Sequence, residues 1–106
     1  SKFGLTGDLK RVANERILLA ETRETRRKLS DQISQIHEIS NSSSEIFSQS
    51  LASLEKWSDR LTEICDELQK AAQDKINLSK SKLSDFRSEI QVVIRELDAS
   101  AKLSLA

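Results

Sequence analysis

Proline is absent from this chain of 106 residues, and glycine occurs only at Gly4 and Gly7. From Asp8 to the last residue the chain therefore has neither of the residues that most often end helices and shape tight turns. Hairpin connections need residues at positive φ, so the same absence argues against β-sheet. Methionine and tyrosine are missing too, and without an initiator methionine the chain is expected to be a piece of a longer protein. Cys65 is the only cysteine, which excludes an intramolecular disulfide framework and points to an intracellular, cytoplasmic setting. No segment approaches the roughly 18 consecutive apolar residues of a membrane span, and the N-terminus lacks the apolar core of a signal peptide.

An excess of either charge is also lacking, with Lys plus Arg and Asp plus Glu both at 17. Such a balance gives the whole chain no electrostatic footprint for nucleic acid or an anionic membrane. His37 is the only histidine, so no metal set and no nucleophile–base pair can be assembled by spacing from it and Cys65. His37 reads as a surface histidine and Cys65 as a small buried thiol. Glu63, Asp66 and Glu67 read as solvated charges with Lys70 nearby, so neither a catalytic role nor a cofactor is expected.

What is present is helical periodicity. Leu9, Val12, Leu19, Leu29, Ile33, Ile36 and Ile39 recur at steps of three and four residues or their multiples, laying a stripe along a helix of about 8–40. Thr6 is placed to cap its start. The stripe breaks within residues 20–28, where Thr22 and Arg26 take seam positions, and a polar layer is expected there. A turn is expected at 41–44, with Ser42 and Glu45 at capping-box spacing. Phe47, Leu51, Leu54, Trp57, Leu61, Ile64, Leu68 and Ala71 then follow heptad steps closely. Leu83, Phe86, Ile90, Val93 and Leu97 continue the pattern.

These stripes predict an all-α, elongated antiparallel helical bundle or coiled coil, a single domain spanning 1–106. Three helices, at about 8–40, 44–76 and 80–104, are preferred. The alternative is a hairpin with one long second helix over 44–104, dimerising into a four-helix bundle. Folding about 41–44 places Arg26 beside Asp59 and Glu63 as the polar layer, His37 near Ser48, and Cys65 opposite Ala20. An arginine in a seam needs such a carboxylate, because an unpaired buried charge is strongly unfavourable.

Residues 1–28 carry a net positive charge, 29–74 a net negative one and 75–106 a net positive one. This alternation reads as complementarity between packed helices. Arg23, Arg26, Arg27 and Lys28 form the one basic cluster, but Glu21 and Glu24 lie within it and no aromatic interleaves it. The apolar run Ile90, Val92, Val93, Ile94 and Leu97 is wider than one seam can cover. With Trp57, whose residue type is enriched in binding hot spots, Ile90, Val93, Ile94 and Leu97 form the candidate interaction surface. The expected function is a non-catalytic protein–protein interaction, scaffold or oligomerisation module, with a protein partner or a second copy of the chain as its ligand. The alternative is a peripheral lipid- or polyanion-binding domain whose amphipathic helices open.

Overall fold

The computed structural model describes residues 2–39 and 45–105. Three helices form an all-α bundle: α1 (Lys2–Glu38), α2 (Glu45–Gln73) and α3 (Lys80–Leu105). The bundle measures 61 × 21 × 17 Å. Each helix runs antiparallel to the next, so α1 and α3 run parallel. Two polar contacts near opposite ends report that direction: the Leu78 N–H donates to Glu15, and the Gln32 amide donates to Ser100.

Helix α1 begins at Lys2, ahead of the expected start near Asp8, and passes through Gly4 and Gly7. Each glycine costs about 1 kcal/mol relative to alanine. Extending a helix that is already nucleated adds a backbone hydrogen bond per residue, and no proline blocks the way. The expected turn at 41–44, including the Ser42 capping position, lies outside the described residues.

Residues 74–79 turn, which decides between the two folds compatible with the sequence pattern. The hairpin with one long second helix is not formed. Lys75 takes φ 55°. The Ile76 N–H reaches the Ala71 carbonyl at 2.9 Å and the Lys75 N–H reaches the Ala72 carbonyl at 3.3 Å. That pair of bonds is the Schellman closure of a helix, with lysine where glycine is usual. Ser79 then starts α3, its Oγ accepting from the Lys82 N–H at 3.1 Å. A residue with a Cβ in the left-handed region costs roughly 1 kcal/mol, so Lys75→Gly is expected to raise stability by about that amount. Urea unfolding followed by circular dichroism measures it, and a destabilised Lys75→Gly protein would contradict this account of the turn.

The core contains Leu18, Leu29 and Ile36 from α1, Leu54, Leu61, Ile64 and Leu68 from α2, and Leu83, Phe86, Ile90 and Val93 from α3. On α2 and α3 these follow the expected stripes. On α1 the buried positions are Glu15, Leu18, Thr22, Thr25, Leu29, Gln32 and Ile36, an unbroken alternation of three- and four-residue steps. Leu19 and Ile33, seam residues by the sequence pattern, only flank it.

The polar part of this seam is satisfied. Thr22 Oγ1 donates to the Leu18 carbonyl at 2.7 Å and Thr25 Oγ1 to the Glu21 carbonyl at 2.8 Å. Among the described residues no buried side-chain nitrogen or oxygen is left without a hydrogen bond.

Candidate interaction surfaces

The structure divides the residues singled out from the sequence. Ile90 and Val93 are 2% and 0% exposed and belong to the core. They are therefore not an open surface: α3 has two neighbours rather than one, and the wide apolar band is taken up between them. Leu97 and Trp57 are half-buried and pack against the same core. Ile94 remains 37% exposed, and Val92, on the other side of Val93, 38%. Leu103 is also exposed, further along α3, as are Ile17 on α1 and Ile76 in the α2–α3 connection.

The layer of Arg26 with Asp59 and Glu63 does not form. Arg26 is half-buried, Asp59 and Glu63 are exposed, and no ion pair joins them. Glu63 instead accepts from Arg60 at 3.0 Å. The cause is register. His37 comes to 3.9 Å from Glu55, a full heptad beyond Ser48, and the Cys65 thiol feels the charges of Arg26 and Arg23, further along α1 than Ala20. With α1 set this way, Thr22 and Thr25 occupy the seam and Arg26 falls to its flank.

Burial pushes the Cys65 thiol above its ordinary pKa, against the opposing pull of Arg26 and Arg23. A buried thiol raised in this way is a packing residue rather than a nucleophile. His37 is exposed, as expected. Among the described residues no group of His, Cys, Asp and Glu could hold a metal ion, and no helix is long and apolar enough to cross a membrane.

One polar system escapes a reading of the sequence. Ser53 donates to Glu96 at 2.8 Å, Arg60 donates to both oxygens of Glu89 at 2.8 and 3.0 Å, and Glu67 pairs with Lys82. Positions 53, 60 and 67 on α2 and 82, 89 and 96 on α3 are heptad-spaced, so these pairs form rungs along one edge of the α2–α3 interface. The spacing is visible in the sequence, but pairing it requires knowing which helices touch. The Arg60 guanidinium also lies 5.8 Å from the centre of the Phe86 ring, and the Glu89 bonds raise its pKa further.

Two concave surfaces lie on the outside of the α1–α2 interface. The first, of about 270 Å³, is at the end nearer the α2–α3 connection. Leu19, Leu68, Ala71 and Ala72 give it apolar walls, and Arg16 and Lys75 line it as well. The second, of about 380 Å³, is polar and lined by Arg23, Arg26, Arg27, Ser30 and Asp31 of α1 and Ser58 of α2. Arg27 is already engaged by Glu24 at 2.6 Å and Asp31 at 2.9 Å. The molecule is thus defined as an all-α three-helix bundle with apolar and basic surface features. No protein-family model, curated protein sequence or solved structure matches the chain.

Proposed function

We propose that the bundle is a non-catalytic protein–protein interaction, scaffold or oligomerisation module. The observation carrying this reading is the set of large apolar side chains left exposed once the core is filled: Ile17, Ile76, Val92, Ile94 and Leu103. Ile94 and Val92 flank a position that is fully buried, so they extend an apolar band from the core to the surface. Surface of that kind on a small charged bundle suits docking against another protein. The elongated shape supports the same reading, since a rod offers long helix faces to a partner.

The test has two parts. Absolute mass by light scattering over a wide concentration range separates self-association from a 12.0 kDa monomer. Photo-reactive amino acids placed at Ile17 and Ile94 of the chain expressed in cells then report neighbours. Mass that rises with concentration, or defined protein cross-links at these positions, is the expected result. A monomer at every concentration that cross-links to no protein would sink the reading.

A further inference from the structure

We infer that the outer groove between α1 and α2 docks an acidic amphipathic helix of a partner protein. This rests on the interaction-module reading and adds a place and a chemistry to it. The two concave surfaces follow one another along the same side of α1. Along α1, Arg16, Leu19, Arg23, Arg26 and Ser30 follow one another at steps of three and four residues and line both stretches. On α2, Ser58 lines the one and Ala72 the other, two heptads apart. From Leu19 to Arg26 is about 10 Å at the helical rise. A helix laid along the groove would meet an apolar recess and, two turns further on, a basic one, as a fourth helix added to the bundle.

The charge available in the groove is positive. Arg23 and Arg26 make no ion pair among the described residues, whereas Arg27 is held by Glu24 and Asp31. At the apolar end Arg16 and Lys75 supply cations, and the one carboxylate there, Glu15, is engaged by the Leu78 N–H at 2.8 Å. Lys75 stands in a left-handed conformation that glycine would adopt with less strain. The bundle thus tolerates a strained residue at a position that brings a cation to the groove. Carboxylates flanking an apolar stripe complement this pattern, and complementary charge sets both the partner and its orientation. A second copy of the chain offers a poorer fit. Its exposed Ile94 and Leu103 lie on α3 among Arg95, Lys102, Glu96 and Asp98, a balanced set rather than an acidic one. RNA would satisfy the arginines and leave the apolar recess unfilled.

The experiment is selection from a displayed library of single amphipathic helices against the intact chain. Each helix has a leucine stripe, and the positions flanking it are drawn equally from Glu, Gln and Lys. Glu is expected to be enriched. The selected helices are expected to bind the Arg23→Gln/Arg26→Gln protein about tenfold more weakly, and the Arg95→Gln/Lys102→Gln protein, which loses two exposed cations of α3 outside the groove, unchanged. Circular dichroism confirms that both variants keep their helicity, and the affected side chains are not fully buried. Enrichment of Lys or Gln, or binding indifferent to the loss of Arg23 and Arg26, would overturn the groove. If that binding is instead lost with Arg95 and Lys102, the interaction module survives and only its location is wrong. No enrichment at all would overturn the groove, while the interaction module stands or falls on the mass and cross-linking test. An RNA oligonucleotide that binds the groove more tightly than the selected helices would also overturn the proposal, in favour of a polyanion.

Discussion

Phe86→Ala is expected to lower the stability of the bundle by about 3–5 kcal/mol, the range for truncating a buried aromatic. A domain of this size has roughly 5–15 kcal/mol in all, so the variant sits near or beyond the edge of folding. Phe86 is 2% exposed and belongs to the core cluster shared by the three helices. Its removal opens a cavity and also takes away the ring beneath Arg60, which is otherwise bonded to Glu89 and Glu63. Phe86→Leu keeps most of the volume and is expected to cost much less. Urea unfolding of both variants by circular dichroism separates the contributions. A loss under about 1 kcal/mol for Phe86→Ala would mean that the ring is not a centre of packing.

Glu15→Ala is expected to cost about 1.5–3 kcal/mol, the range for a hydrogen bond to a charged group or for a buried donor left unsatisfied. Glu15 is 9% exposed and accepts from the Leu78 N–H at 2.8 Å. Through this bond the α2–α3 connection is tied to α1, and with it the place where α3 begins. Glu15→Gln retains a carbonyl acceptor and is expected to lose less. Amide hydrogen exchange at Leu78 gives a local readout. It should quicken in Glu15→Ala more than the global loss of stability accounts for, and unchanged protection would show that another acceptor serves this N–H.

These two positions differ in how legible they are in the amino-acid sequence. Phe86 belongs to the α3 stripe of Leu83, Phe86, Ile90, Val93 and Leu97, every member of which is apolar, so periodicity alone identifies it as core. The stripe of α2 is legible for the same reason. Glu15 cannot be read this way. The α1 seam runs Glu15, Leu18, Thr22, Thr25, Leu29, Gln32 and Ile36, with polar residues at Glu15, Thr22, Thr25 and Gln32. A search for apolar residues slides off it onto Leu19 and Ile33 and carries the register with it. The placement of Arg26 in the seam follows from that shift, and its pairing with Asp59 and Glu63 from a fold point taken at 41–44, which sets α1 about a heptad out against α2. The Thr22 and Thr25 hydroxyls can lie in the seam because each is satisfied by its own helix, a bond that leaves no trace in a hydrophobicity pattern.

The candidate surface is legible in part. The breadth of the apolar run points to Ile94, which is exposed, whereas Ile90 and Val93 in the same run are core. Periodicity shows that the run is too wide for one neighbour and cannot show that a second neighbour is present. The two concave stretches on the outside of α1–α2 need the register of two helices, so no local reading reaches them. The arginines that line one of them are visible as a cluster, while the availability of Arg23 and Arg26 emerges only once Arg27 is seen paired with Glu24 and Asp31.

Helix formation over nearly the whole chain follows from local chemistry: no proline, two glycines near the start, and apolar residues at helical spacing. These terms act within a turn or two of each residue, so they can be read without knowing what each helix touches. A break between 76 and 80 is already preferred by the sequence, whereas the choice of that fold over one long second helix, the register of α1 and the assignment of apolar residues to core or surface depend on packing. Lys75 accepts a left-handed conformation because burial of Leu83, Phe86 and Ile90 against α1 and α2 outweighs roughly 1 kcal/mol of local strain. The strain is a property of one residue, whereas the compensating burial is shared among three helices.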